Sequence, residues 1–239
     1  MISVDKVTKV YRSGSTEVAA LRGVSLRVDG GAFLAIAGPS GSGKTTLLNL
    51  IGCLDTATSG EVVIGGERVS DLNRKQLALF RRHRLGFIFQ SFNLIPVLTA
   101  YENVSFALSL VTRDPKQVRD RTLAMLDDVG LSDMADRRPG ELSGGQQQRV
   151  AIARALVKAP DIVLADEPTA NVDSEIGEGL LDLMRTLNRR RATTFLFSTH
   201  DAMVMNYAER LVRLQDGRIV GDETRTGEGR APATADAAR

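Results

Sequence analysis

Eight consecutive residues, Gly38-Pro39-Ser40-Gly41-Ser42-Gly43-Lys44-Thr45, have the composition and spacing of a P-loop, a segment built to hold phosphate. Its glycines let the backbone curl until successive N–H groups point inward, and Lys44 places a point charge near the β and γ groups of a nucleoside triphosphate. The Thr45 hydroxyl is a ligand for Mg²⁺, and Thr46 continues the same helix start. A helix dipole contributes at most about 2 kcal/mol, far below what holding a triphosphate demands, so the N–H nest, Lys44 and the metal must act together. A second segment, Ile162-Val163-Leu164-Ala165-Asp166-Glu167, is an apolar strand ending in two acids. Beside a P-loop, Asp166 reads as the residue that holds Mg²⁺ through water and Glu167 as the group that polarises an attacking water.

These residues need a scaffold, and the sequence supplies it in order. Phe33–Ala37 reads as a buried strand, the glycine loop follows, and Lys44–Ile51 is a helix-forming run, which together begin a βαβ unit. Alternation at Val24, Leu26 and Val28, and at Val62 and Ile64, predicts an antiparallel β layer around it. From about Leu94 to Lys158 the pattern turns helical. Thr99-Ala100-Tyr101-Glu102 is a capping box, and Asp114-Pro115 starts a second helix whose apolar residues are Val118, Leu123, Leu126 and Val129, ended by Gly130. The α/β core resumes at Ile162, with a helix striped by Ile176, Leu180, Leu183, Met184 and Leu187, a β run Thr193–Ser198, and a hairpin Arg210–Leu214, Asp216-Gly217, Ile219-Val220. The expected organisation is a P-loop NTPase core of mostly parallel sheet (about 1–93 and 159–221), an N-terminal antiparallel layer, an inserted helical subdomain (about 94–158), and a polar disordered tail over 222–239.

With 239 residues and 43% apolar content the chain can bury a core. Basic and acidic side chains number 31 and 29 and are intermixed, so charge provides no nucleic-acid footprint. The single cysteine, Cys53, lies in an apolar stretch and reads as a small buried hydrophobe in a reducing compartment. The N-terminus lacks the pattern of a signal peptide and no apolar run reaches the ~18 residues of a membrane span. A cytoplasmic protein is expected.

Leu142-Ser143-Gly144-Gly145-Gln146 decides among P-loop families, because it resembles the signature sequence of ATP-binding-cassette proteins. Its residues open the helical run Gln147–Leu156 with small side chains, a second helix start that permits close approach to an anion. The resemblance extends over residues 1–221. It implies that Tyr11 stacks on adenine, that Gln90 is the hinge glutamine and a metal ligand, that Asn171-Val172-Asp173 is the loop after the catalytic strand with Asp173 at the nucleotide, and that His200 is the switch histidine near the γ-phosphate. By their own surroundings Tyr11 and Gln90 are an edge-strand aromatic and a surface amide, and His83, amid Arg81, Arg82 and Arg84, is solvated surface.

Gly52-Cys53-Leu54-Asp55-Thr56, Leu85–Gln90 and Asn93-Leu94-Ile95-Pro96 look like the lipoprotein-release and macrolide-export branch of that family. The resemblance implies an ATPase that binds MgATP, dimerises head to tail with a second cassette, as a homodimer, and powers integral membrane permease subunits from the inner face of the cell membrane. A different reading keeps the ATP chemistry but couples it to a soluble partner, as an assembly scaffold or division-machinery regulator. The stretch Ser91–Val104, with Phe92, Leu94, Ile95, Pro96 and Tyr101, divides evenly between partner contact and core. The sequence departs from the family pattern at Ala170, where glycine is frequent, and in its polar tail.

Overall fold

The five residues Phe33–Ala37 are all buried, yet they belong to two different cores. Phe33, Ala35 and Ala37 join one apolar cluster, and Leu34 and Ile36 the other. Side chains on a strand alternate between faces, so a strand buried at every position must lie in the middle of three layers. The computed structural model describes residues 1–14 and 16–225, and its elements run β1 (Ile2–Ser13), β2 (Thr16–Val28), β3 (Phe33–Ala37), α1 (Lys44–Ile51), β4 (Ser59–Ile64), β5 (Glu67–Arg68), α2 (Arg74–Arg84), β6 (Leu85–Ile88), α3 (Ala100–Ser109), α4 (Pro115–Asp128), α5 (Gly144–Leu156), β7 (Ile162–Asp166), α6 (Ser174–Arg191), β8 (Thr194–Thr199), α7 (Ala202–Tyr207), β9 (Arg210–Gln215) and β10 (Arg218–Thr224).

The middle layer is a six-stranded sheet in the order β10-β9-β3-β8-β7-β6. Its pairings are parallel except β10 on β9. One face packs on the antiparallel sheet β2-β1-β4-β5, on α1 and on Phe80 of α2; the other packs on α3, α4, α5, α6 and α7. The α/β class and the antiparallel N-terminal layer expected from the sequence are present. The helices of the 94–158 stretch share their core with the sheet, since Val104, Leu126 and Val150 lie in one cluster with Phe33 and Phe197.

Three local expectations are corrected. On α4 the buried row is Thr122, Met125, Leu126, with Val118 and Val129 packed beside it, and Leu123 is 42% exposed. Residues 118, 122, 126 and 129 keep the 3.6-residue period, whereas 123 falls about 100° off that face. The helix α2 was not expected at all, although its start is written in the sequence: Asn73 accepts the N–H of Gln76 while Gln76 accepts the N–H of Asn73. The hairpin strand β10 continues to Thr224, beyond the expected end of the folded part at 221, because Asp222 pairs with both Nε and Nη2 of Arg210 at 2.8 and 2.7 Å. The rest of the expected tail, 226–239, lies outside the described residues. Cys53 is buried and free, and His83 is exposed, as expected. No helix among the described residues is long and apolar enough to cross a membrane.

Candidate active site

The P-loop leaves β3 and enters α1 through a path that other side chains could not follow. A Cβ on Gly38 would stand 2.0 Å from the carbonyl oxygen of Leu214, and one on Gly43 2.5 Å from that of Ala20, with Gly43 already at φ +103°. The β9–β10 turn supports the loop from below, where Gly217 N–H donates to Ser42 O at 3.0 Å. Lys44 is 8% exposed, and its ammonium donates to the carbonyls of Gly38 and Pro39 at 2.7 and 3.0 Å. The cationic head is thus held at the mouth of the loop by weak acceptors that a phosphate would outcompete. The buried Ser42 hydroxyl has no partner among the described residues.

In front of the loop lies a cavity of about 520 Å³. Residues 39–41 and 43–46 line it together with Ala20, Gln90, Asp166, Glu167 and His200. β3, β6, β7 and β8 are parallel neighbours in one sheet and all end here, which is how residues 38, 90, 166 and 200 meet in space. The Thr45 hydroxyl lies 3.3 Å from both carboxylate oxygens of Asp166. Glu167 turns out of the strand at φ +47°, a strained conformation for a non-glycine residue, and its N–H is fixed to Ser198 O at 2.9 Å. Its carboxylate is held at both oxygens, by His200 Nδ1 at 2.7 Å and by the Thr199 hydroxyl at 3.2 Å. A carboxylate accepts, so in this contact Nδ1 is the ring nitrogen that donates to Glu167.

The second helix start is built differently. The Ser143 hydroxyl accepts the N–H of Gln146 at 3.3 Å and the Gln146 amide oxygen accepts the N–H of Ser143 at 2.9 Å, a closed capping box. A Cβ on Gly145 would meet Ile176 Cγ2 at 2.5 Å. Ile176, expected in the core stripe of α6, is 38% exposed and serves as the floor under that glycine. Asp173 caps α6 by accepting the N–H of Ile176 at 2.9 Å, and Asn171 donates to Gln90 O at 2.7 Å, so the loop after β7 touches both the glutamine loop and the signature. Ser143–Gln146 and Asp173 do not line the cavity of their own chain, nor does Tyr11, which is 40% exposed on β1.

Residues 21–170 match the ABC transporter family. The chain belongs to that family. It is an ATP-binding and ATP-hydrolysing cassette subunit, similar to the ABC transporter ATP-binding protein MJ0796 of Methanocaldococcus jannaschii, with 44% identity over 231 residues that cover 95% of this chain and 98% of that one. It is also 44% identical over 237 residues to the macrolide export ATP-binding/permease protein MacB of Burkholderia pseudomallei, covering 99% of this chain and 36% of the relative. Among solved structures, the dimeric post-hydrolysis state of the MJ0796 cassette bound to ADP and Pi superposes with a TM-score of 0.88 at 44% identity, over 95% of this chain and 100% of that one.

Sequence reasoning missed one residue that ties the halves of the cassette together. Arg154, on the helix that starts with the signature, donates to Phe92 O at 2.7 Å and to Asn93 O at 2.5 Å. Phe92 and Asn93 both have positive φ, 60° and 49°, so the strained turn after Gln90 is clamped from α5. Nothing local marks this contact, which spans about sixty positions. The apolar residues nearby divide: Leu94 and Tyr101 pack on the core, while Val97 is 71% exposed.

Proposed function

We propose that two copies of this cassette close head to tail, each MgATP lying between the P-loop of one copy and Ser143–Gln146 of the other, and that hydrolysis drives integral membrane permease subunits of the lipoprotein-release or macrolide-export type. The observation that carries this reading is the unequal placement of the two helix starts: one lines the cavity and the other stands outside it. The dimeric MJ0796 structure with ADP and Pi supports the arrangement, and the name of MacB joins an ATP-binding part to a permease. Attachment to the inner face of the membrane would come through the permease.

In this reading the main-chain N–H groups of residues 40–45 and the Lys44 ammonium hold the triphosphate. Tyr11 stacks on the adenine and Thr46 lies beside it. Thr45, Asp166 and Gln90 supply an all-oxygen donor set, which fits a hard cation that keeps part of its water shell. Mg²⁺ bound there would neutralise charge on the β- and γ-phosphates. Glu167 orients and polarises the attacking water, His200 holds Glu167 and reaches toward the γ-phosphate, and Asp173 sets the loop that faces the second copy.

The test mixes two inactive variants. Lys44→Ala damages the P-loop and Ser143→Arg blocks the signature. In a mixed dimer with sites built across chains, both lesions fall in one site and the other is intact, so mixing should restore hydrolysis toward half of one wild-type dimer's rate per mixed dimer. ATP-dependent crosslinking between cysteines at Ser40 of one copy and Gly144 of the other, in a Cys53→Ser background, gives the geometry directly. Crosslinks confined to single chains, with no rescue on mixing, would sink the composite site.

A further inference from the structure

The loop between α1 and β4 holds one carboxylate that three donors converge on. Asp55 Oδ1 accepts Lys9 Nζ at 2.6 Å and the N–H of Thr56 at 2.7 Å, and Oδ2 accepts the Tyr11 hydroxyl at 2.8 Å. Lys9 also donates to Thr56 O at 2.8 Å, and its ammonium sits 4.9 Å from the centroid of the Tyr11 ring. One end of the ring is therefore tied to the loop that follows the P-loop helix. The ammonium lies against the ring, and the residue keeps 40% of its surface exposed.

We propose that Asp55 is a positioning residue for the purine base: with Lys9 it fixes the Tyr11 ring relative to α1, so that a base joined to phosphates in the P-loop meets an aromatic surface already oriented. This rests on the reading of Tyr11 as the adenine-stacking residue. The physical gain is preorganisation. A tyrosine on an exposed strand would lose rotamer freedom on stacking, and a ring already anchored at its hydroxyl has less to lose. Burial by itself would raise the Asp55 carboxyl, but the hydrogen bonds from Lys9, Thr56 and Tyr11 hold it below its ordinary value, so the anchor is ionised throughout the neutral range.

A cluster that only stapled the α1–β4 loop to β1 would affect stability or all P-loop ligands alike. The proposal instead separates base from phosphate. Tyr11→Ala should raise KM for ATP about tenfold, the size of one lost base–aromatic stack, with kcat within twofold. Asp55→Ala should raise it about threefold to fivefold, and Tyr11→Phe, which breaks the same bond from its other end while keeping the ring, should match Asp55→Ala. The double variant Tyr11→Ala/Asp55→Ala should be no worse than Tyr11→Ala, because Asp55 acts through the ring. Inhibition by inorganic tripolyphosphate, which has no base, should be unchanged in all of them. An unaltered KM in both Asp55→Ala and Tyr11→Phe, alongside a raised KM in Tyr11→Ala, overturns the role of Asp55 and leaves the stacking reading standing. An unaltered KM in Tyr11→Ala removes the stacking reading itself. Additive effects in the double variant, or weaker tripolyphosphate inhibition in Asp55→Ala, would make Asp55 a structural staple of the P-loop helix.

Discussion

The two helix starts of this cassette, α1 at the P-loop and α5 at the signature, both open on small residues but are finished in opposite ways. α1 follows Gly43 in a left-handed conformation and no side chain caps its first turn. α5 closes its own first turn with the Ser143–Gln146 capping box. A missing cap costs a helix about 1 kcal/mol, and a bound phosphate can take its place. The glycines differ in the same sense. Gly38 and Gly43 are demanded by backbone of the same chain within 2.0–2.5 Å, whereas a Cβ on Gly144 would find its nearest neighbour, Asn171 O, at 3.3 Å. The first helix start is a preformed receptor that is incomplete without its ligand. The second is complete by itself, as the proposed composite site requires of a surface that closes on a nucleotide held by another copy.

The largest effect that would sharpen this contrast comes from removing the chemistry while leaving both helix starts intact. Glu167→Gln keeps hydrogen bonding but cannot stabilise the charge developing on the attacking water, so hydrolysis should fall by more than about 100-fold with ATP affinity within a few-fold. Phosphate release and nucleotide titration measure the two, and gel filtration with MgATP should show an ATP-bound dimer. A monomer, or turnover within a few-fold of wild type, would remove Glu167 from the catalytic role.

The paired alanine substitutions come next. Gly38→Ala drives a methyl group into a carbonyl that belongs to the hairpin, and should destabilise the fold by about 1–3 kcal/mol as well as abolish activity. If the composite site is right, Gly144→Ala should leave the melting temperature within about 1 °C and still lower hydrolysis about tenfold, because what it would obstruct is the approach of a second copy's nucleotide. Equal melting losses in the two variants would break the comparison. Ser143→Ala should cost about 1 kcal/mol through loss of the cap, a melting shift of about 2–4 °C for a chain of this size.

The smallest effect tests the far end of α5. Lys158 follows that helix, donates to Arg81 O at 3.0 Å, and burial lowers its ammonium to about 8 from an ordinary 10.5. Since the folded value is the lower one, the unfolded chain binds more protons between about pH 8 and 10.5, and stability rises with pH across that window. Lys158→Met should lose this rise, so in parallel melting curves at pH 7, 8 and 9 the wild type should gain stability on the variant as pH rises. A constant difference would mean that Lys158 titrates normally.

The parts of the site that were legible in the sequence are those with a local signature. Gly38–Thr45 announces itself because only glycine permits the path and only Lys-Thr completes it. Asp166-Glu167 follows an apolar run that β-strand periodicity identifies, and Thr99–Glu102 spells a capping box that the structure contains. Local patterns misled in two ways: on α4 the competing choice was one residue away, Leu123 for Thr122, and on α6 Ile176 kept its place but faces Gly145 instead of the core. The helix α2 had its own start signal at Asn73-x-x-Gln76, but the many arginines hid its narrow apolar face of Leu77 and Phe80.

Tertiary structure decided what joins these parts. The bonds of Arg154 to Phe92 and Asn93, of His200 to Glu167, and of Asp55 to Tyr11 and Lys9 all depend on which strands lie side by side and which helices pack on them. Residue types, turn chemistry and hydrophobic period are properties of a few neighbouring positions and survive in a linear string. The partner of a charged or aromatic side chain thirty to sixty positions away is set by sheet order and helix packing, which no short window of sequence contains.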